Sequence, residues 1–474
     1  MMSIKIKTSV VVIGGGPSGY SAAFRCSDLG IKTIIVENYP NLGGVCLNVG
    51  CIPSKTLLHI AKIIKENTNF FNKGILNSIP NLNIEKIILW KDKIIKKLSN
   101  GLNFLARTRK IDIINGIGTF KTQNILNVKN NNNNYQIEFK YAIIATGSQP
   151  IKIPFIPYND NRIWNSTDAL LLKTIPKKML ILGCGIIGLE MATIYHALGT
   201  EINIVETSDK ILPLVDDDII QIYNNDIKNK FNIMLNTKII SIDDNNKNLL
   251  QVYMTNDNNK SIFSKKYDVI LIAIGRTPNS NFIKNNSFDI KLNDGFIKVN
   301  NQMRTNIPNI YAIGDVIGHP MLAHKGIYEG HLVAEIISGK NHFFIPKVIP
   351  SIAYTDPEIG WVGVTEKEAK IKNINYGIAS MPWNTLGRGL CSNAENGLTK
   401  LIFDKNTNKI IGGLVIGYNA GELLGEISLA IEMGCDAEDI SLTIHAHPTF
   451  YESIGITTEI FLGSATDILN KKII

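Results

Sequence analysis

Val10-Val11-Val12-Ile13-Gly14-Gly15-Gly16-Pro17-Ser18-Gly19 decides how this chain is read. Four apolar residues make a buried strand, and Gly-x-Gly-x-x-Gly follows it into an apolar-periodic helix. A second strand, Ile34-Ile35-Val36, ends on Glu37. Each glycine has a task in a dinucleotide-binding unit. Gly14 makes the turn, Gly16 lets the backbone approach a pyrophosphate, and Gly19 lets the helix close on the sheet. The helix N-terminus then faces the phosphates, and Glu37 can bond a ribose hydroxyl.

One such motif is a weak signal, but this one occurs twice. Gly14, Gly16, Gly19, Gly30, Val36 and Glu37 recur without a gap as Gly183, Gly185, Gly188, Gly199, Val205 and Glu206, a constant offset of 169 residues. A glycine-rich turn without a ligand explains one copy, hardly two with matching acids. A shorter echo follows each copy. Ile143-Ile144-Ala145-Thr146-Gly147-Ser148-Gln149-Pro150 is matched by Leu271-Ile272-Ala273-Ile274-Gly275-Arg276-Thr277-Pro278. A third run, Ile310-Tyr311-Ala312-Ile313-Gly314-Asp315, ends on an acid. Sheet core accounts for the strand residues, and only the terminal Gly and Asp invite a ligand. Residues 124–139 alternate like a hairpin around an Asn-rich turn. From Pro350 the texture becomes α+β, with short strands near 399–403 and 410–416 and helices near 422–433 and after His447.

Composition narrows the functional classes. A chain of 474 residues has room for about three domains of roughly 150 each. Its 45% hydrophobic content is ordinary for well-cored globular proteins. The net charge of +8 comes from scattered lysines, which favours a solvated surface over nucleic-acid binding. Six cysteines, only two of them close in sequence, make no secreted framework, so a reducing cytoplasm is expected. The start, with Lys5 and Lys7 before an apolar run, imitates a signal peptide until Gly14-Gly15-Gly16 turns it into a nucleotide fold, and no transit peptide is expected. Residues 179–199 are nearly all apolar over a membrane-spanning length. Glu190 and three glycines at loop spacing make them strand then helix, and no membrane insertion is expected.

The two close cysteines lie in Gly43-Gly44-Val45-Cys46-Leu47-Asn48-Val49-Gly50-Cys51-Ile52-Pro53-Ser54-Lys55. In a regular helix, residues five apart sit roughly 8 Å apart at Cα, beyond the about 4.4–6.8 Å of a disulfide. A bond here requires a break in the helix, which Gly43, Gly44 and Gly50 permit, and Pro53 suits the first turn of the next helix. So short a loop gains little stability from closure, and the pair reads as a redox-active dithiol. Half of a zinc site, or two unrelated thiols, are the alternatives, and no second Cys/His pair of zinc spacing follows. A disulfide exchanges electrons readily with a flavin and not, as a rule, directly with nicotinamide. The first unit is therefore expected to hold FAD and the second the nicotinamide nucleotide. Glu206 accepts from a free ribose 2′-OH and repels a 2′-phosphate, and no Arg lies between it and Asp218, so NAD is expected rather than NADP.

A second chemical site reads His445-Ala446-His447-Pro448-Thr449-Phe450-Tyr451-Glu452. Pro448 at a helix N1 position would place His447 at the cap and Glu452 in the first turns. From there a carboxylate can reach back to the imidazole and raise its basicity. From these residues alone a general base, a helix cap and a His-x-His metal site all stay open. Glu190 stands in an otherwise apolar helix and needs a partner if buried; an exposed helix charge is the plain alternative.

Over essentially its whole length the chain resembles the pyridine nucleotide–disulfide oxidoreductases, and within them the bacterial branch that serves 2-oxo acid dehydrogenase complexes. The cysteine stretch, Ala312-Ile313-Gly314-Asp315, Met321-Leu322-Ala323-His324-Lys325-Gly326 and His445-Ala446-His447-Pro448-Thr449 carry the resemblance. It implies a homodimer that reoxidises protein-bound dihydrolipoamide with FAD and NAD⁺ through a Cys46–Cys51 redox disulfide. Cys46 would face substrate and Cys51 the flavin. His447, paired with Glu452 and preceding a cis proline, would be the base acting on the other subunit's dithiol, and His445 has no clear catalytic role. Lys55 would lie near flavin N5, paired with Glu190, and Asp315 would hold the ribitol chain. Further FAD contacts would be Gly118, Thr146, Gly147 and Ala323, a further NAD contact Gly275, and no metal is expected. The expected partners are lipoyl domains and the acyltransferase (E2) of pyruvate or 2-oxoglutarate dehydrogenase complexes. The expected division is 1–150 and 281–347 for FAD, 151–280 for NAD, and 348–474 for dimerisation. A reductase of another disulfide on the same fold is the alternative. Such enzymes generally prefer NADPH, which Glu206 opposes, and some carry a redox pair at a C-terminus that here reads Asn470-Lys471-Lys472-Ile473-Ile474. Departures from the family pattern are Cys184 between fingerprint glycines, Arg388-Gly389 where Arg-Ala is usual, and Tyr451 in a variable slot.

Overall fold

The computed structural model describes residues 3–130, 133–246, 248–258, 260–283 and 288–469. The stretch 470–474 and the middle of the Asn-rich turn lie outside the described residues. The first unit opens with β1 (Ile4–Ile13), α1 (Pro17–Asp28), β2 (Thr33–Glu37), α2 (Gly44–Val49), α3 (Cys51–Asn72) and α4 (Ile84–Thr108). It continues with β3 (Asp112–Asn115), β4 (Ile117–Thr122), β5 (Ile125–Lys129), β6 (Asn134–Ile144) and β7 (Ser148–Pro150). Strands β3-β2-β1-β6 lie parallel in that order, and the strand Ile310–Ala312 adds parallel beyond β6. The first half of β6 also pairs antiparallel with β5, and β5 with β4, which is the hairpin expected at 124–139. Val10, Val11 and Val12 are wholly buried because both faces of the sheet are covered: Val10 and Val12 share a core with Ala22 and Ala23 of α1, and Val11 shares one with Phe120 of β4 and Leu126 and Val128 of β5.

The second unit repeats the plan. It comprises β8 (Ile163–Trp164), α5 (Ser166–Leu171), β9 (Lys178–Leu182), α6 (Ile186–Ala197), β10 (Glu201–Val205) and α7 (Asp217–Ile227). Then come β11 (Phe231–Met234), β12 (Thr237–Asp243), β13 (Leu250–Asn256), β14 (Ile262–Tyr267) and β15 (Val269–Ile272). Its parallel order is β11-β10-β9-β15-β8, with β12-β13-β14 as the antiparallel arm. The fifth strand differs in origin. In the second unit it precedes the glycine motif; in the first it arrives only at Ile310–Ala312, after the whole second unit. The chain leaves on β7 and returns on β16 (Arg276–Pro278), and these two pair antiparallel as a neck.

The remaining sheet is antiparallel, in the order Ser351–Ala353, Glu358–Gly363, Ile410–Gly417, Leu398–Asp404, Tyr376–Pro382. Helices Ala420–Met433 and Glu452–Leu462 share its core, with Trp383 and Phe403 at its centre. This is the expected α/β chain of two Rossmann-like units with an α+β C-terminal part. Leu57 and Leu58 of α3 share one core with Leu189 and Ala192 of α6 and with Ile359 and Ile402 of the last sheet. The cysteine-bearing helix is thereby wedged between all three parts. Among the described residues no helix is long and apolar enough to cross a membrane.

Candidate active site

The duplicated glycines are enforced by backbone crossings. At Gly14 φ is +107°, and a Cβ would lie 2.3 Å from the Ala145 carbonyl oxygen; at Gly183 φ is +98°, with the Ala273 oxygen at 2.5 Å. A Cβ on Gly19 would strike the Gly14 oxygen at 1.9 Å, and one on Gly188 the Gly183 oxygen at 2.1 Å. Gly185 faces open space, Gly16 meets only the Gly44 Cα at 3.8 Å, and neither α1 nor α6 has a side-chain cap. Their first amides are therefore available to an anion, as a pyrophosphate requires. The acids repeat as well. Glu37 accepts from the Gly15 N–H at 2.5 Å and the Tyr39 N–H at 2.8 Å. Glu206 accepts from the Cys184 N–H and the Ser208 N–H, both at 2.9 Å. Burial pushes the Glu206 carboxyl up, but these donors prevail and hold it below its ordinary value. These residues fit two dinucleotides.

Cys46 lies in α2, and Cys51 opens α3. Gly50 between them, at φ −140° and ψ −109°, is the break in the helix that the spacing demands. Gly44, at φ +56°, brings this stretch onto the first glycine loop, where a Cβ would lie 2.7 Å from the Gly16 Cα. Both cysteines are free thiols, half-buried and hydrogen-bonded to each other. The bond from Cys46 lowers the Cys51 thiol to about 7 against the cost of burial, and Lys55 helps; the same bond, with burial, raises Cys46. The pair is asymmetric, with Cys51 the more acidic thiol.

Lys55 Nζ lies 3.0 Å from both carboxylate oxygens of Glu190, whose residue is 4% exposed. Glu190 also accepts from the Tyr354 N–H at 3.2 Å, and the Tyr354 ring centroid lies 4.4 Å from Lys55 Nζ. On the other side Asp315 accepts from Ser148 Oγ at 2.6 Å, and Arg276 grips Ser148 through its Oγ at 2.7 Å and its carbonyl oxygen at 2.6 Å. Thr146 Oγ1 donates to the Asn279 oxygen at 2.8 Å, tying its loop to the neck, and Gly147 beside it is open to solvent space. Gly275, at φ +120°, immediately precedes β16, and Ala323 opens the uncapped helix Ala323–Ile337. Gly118 packs against Leu126 within the β4–β5 hairpin. Tyr354 carries no motif that could have drawn attention to it, whereas Ser148 and Arg276 hold matching positions in the two echoes.

His447 Nδ1 lies 3.2 Å from Glu452 Oε2, and the His447–Pro448 bond is cis. The His447 side chain is 78% exposed and that of Glu452 only 10%. The placement of Pro448 at N1 needs correction, because the helix starts at Glu452. Thr449 and Glu452 close the turn before it, each backbone N–H donating to the other's side-chain oxygen at 3.4 Å. That Thr-x-x-Glu pattern was the overlooked start signal. The departures have local causes. Gly389 leaves no room for Cβ, with the Trp383 oxygen at 2.5 Å; the Tyr451 hydroxyl accepts from the Ala446 N–H at 2.9 Å; Cys184 is buried, its thiol pushed up by that burial.

The pyridine nucleotide-disulphide oxidoreductase family matches residues 8–330, and that family's dimerisation domain matches residues 349–457. A dihydrolipoyl dehydrogenase of Buchnera aphidicola subsp. Acyrthosiphon pisum is 58% identical over 475 residues, covering 100% of both chains. One from Vibrio cholerae is 53% identical over 99% of each, and one from Bacillus subtilis 38% over 98% of each. The solved structure of the HOCl-induced flavoprotein disulfide reductase RclA from Escherichia coli matches with a TM-score of 0.84, over 95% of this chain and 99% of that one. Its 24% identity makes this a likeness of fold.

Proposed function

The chain belongs to the pyridine nucleotide-disulphide oxidoreductase family, and from that premise we propose how its residues divide the reaction. It reoxidises dihydrolipoamide to lipoamide as an FAD- and NAD-dependent enzyme. The asymmetric thiol pair beside the bridge from Lys55 to the buried Glu190 is the observation that carries the assignment of roles. Gly14, Gly16, Gly19 and Glu37 hold FAD, with Asp315, Thr146, Gly147 and Ala323 beyond them; Gly183, Gly185, Gly188, Glu206 and Gly275 hold NAD. Bound FAD accepts the dithiol's electron pair, and NAD⁺ carries it off as hydride.

Glu452 engages His447 Nδ1, leaving Nε2 to accept a proton from a substrate thiol. The substrate thiolate attacks Cys46, the sulfur–sulfur bond to Cys51 breaks, and Cys51 departs as a thiolate that the Lys55 charge favours. The second substrate thiolate then displaces Cys46, so lipoamide leaves and two reduced sulfurs stay behind. The dimerisation domain makes the enzyme a homodimer, and His447 acts on the dithiol of the partner subunit. We take 1–150 and 281–347 as the FAD part, 151–280 as the NAD part and 348–474 as the dimerisation part. Lipoyl domains and the acyltransferase of pyruvate or 2-oxoglutarate dehydrogenase complexes are its partners, in the cytoplasm.

Cys46→Ser is the direct test, because an oxygen cannot form the exchange disulfide. Lipoamide-linked NADH formation should vanish, and retained turnover would overturn the scheme. Comparing rates with NADH and NADPH separates it from reductases of other disulfides: the Glu206 carboxylate requires NADH to win.

A further inference from the structure

His445 stands two residues before the base and differs from it in every physical respect. Its side chain is 7% exposed, against 78% for His447. Nδ1 lies 2.8 Å from the Thr443 carbonyl oxygen, and Nε2 lies 2.7 Å from a Glu426 carboxylate oxygen. Both neighbours can only accept a hydrogen bond. A neutral imidazole has one N–H and one lone pair, so either tautomer sets a lone pair against an acceptor. Only the imidazolium satisfies both.

The ring packs closely on Gly455, where a Cβ would lie 2.8 Å from its Nδ1, so the helix must carry glycine there. The charged groups facing it are Glu426 on the helix Ala420–Met433, and Glu452 and Glu459 on the helix Glu452–Leu462; all are acidic. The bond to Glu426 outweighs burial and raises the imidazole above its ordinary value. The turn is also pinned after His445, where Ala446 donates to the Tyr451 hydroxyl at 2.9 Å and accepts from Thr449 Oγ1 at 2.6 Å.

We propose that His445 is a positioning residue for the base: held doubly protonated between Thr443 and Glu426, it fixes the turn that aims His447 at the substrate thiol. This rests on the reading of His447 as the base. The two histidines then work in opposite charge states. His447 must be neutral to accept a proton, whereas His445 works charged, so activity falls as pH rises through the titration of His445. The alkaline limb of the pH profile belongs to a side chain that touches no substrate.

The test compares kcat against pH for the FAD-loaded dimer in three forms: wild type, Glu426→Gln and His447→Gln. Glu426→Gln keeps an acceptor and removes the facing charge, which weakens the imidazolium. Its alkaline limb should move to lower pH, with kcat there about tenfold below wild type and the acid limb unmoved. An alkaline limb that stays in place overturns the proposal. His447→Gln tests the underlying reading separately, since turnover that survives it removes the base and not the cation. Histidine-selective nitrogen-15 NMR of the resting enzyme gives a readout free of activity. Near neutral pH His445 should show two N–H signals, and a single one overturns the proposal whatever the kinetics.

Discussion

Replacing Cys46 with Ala removes the donor that does most to keep Cys51 ionised. In the intact protein that bond, assisted by Lys55 and opposed by burial, brings Cys51 to about 7. A hydrogen bond to a charged acceptor contributes about 1.5–3 kcal/mol. At about 1.4 kcal/mol per pKa unit, its loss raises Cys51 by about one to two units, to about 8–9. The thiolate fraction at neutral pH then falls from about half to below about one-tenth. The assay is the rate of iodoacetamide alkylation against pH in the reduced protein, with the modified cysteine assigned by mass spectrometry. Cys46→Ser retains a donor and should fall between. Lys55→Met should also raise the midpoint, whereas Glu190→Gln should lower it, because the Glu190 charge opposes the thiolate. A midpoint that stays or falls in Cys46→Ala would refute the reasoning, as would equal signs for Lys55→Met and Glu190→Gln.

Gly188→Ala puts a Cβ 2.1 Å from the Gly183 oxygen and forces α6 off its sheet. KM for NAD⁺ should rise about tenfold while flavin absorbance stays unchanged, and lost flavin would contradict separate sites. Lys400, its side chain 1% exposed, lies 3.1, 2.8 and 2.9 Å from Asp216, Asp218 and Glu366. Lys400→Met strands those carboxylates and should cost about 3–5 kcal/mol in urea unfolding; a loss well below that range would show the cluster to be solvated. Lys370 first and then Lys400 hold Glu366 down to about 2. A folded value below the unfolded one stabilises the protein above the ordinary carboxylate range, and that contribution disappears as pH falls toward 2. Tm should decline through that window, and less steeply in Lys370→Met.

Both nucleotide units were legible because their signal is local. A glycine forced by a carbonyl 2 Å away sits within a few residues of the strand it follows, and the offset of 169 extends to which amides Glu37 and Glu206 accept. The break at Gly50 was legible for the same reason, since two cysteines five apart overtax a helix. What escaped is non-local or side-chain-directed. The strand Ile310–Ala312 joins a sheet begun about 300 residues earlier, and no pattern within it names that sheet. Lys400, in a strand reading Leu-Thr-Lys-Leu-Ile-Phe, gives no hint that it is wholly buried among three acids of two other elements. The helix start at Glu452 is misplaced when Pro at N1 is weighed above the Thr-x-x-Glu box one residue later. Tyr354 holds Glu190 through its backbone, and a backbone contact leaves no trace in residue identity.

The neck formed by β7 and β16 bears on the order in which the molecule is made. During synthesis the second unit has all five parallel strands once Ile272 has left the ribosome. The first, though begun at Ile4, lacks its fifth strand until Ala312 emerges, and Asp315 comes later still. A growing chain tends to fold each domain as it becomes complete. Here the later-encoded half is finished first, and the earlier half waits with an open sheet edge beside β6 until the return strand seals it. The sheet begun first is thus the one completed last, and the full set of proposed FAD residues exists only once Asp315 and Ala323 have been made.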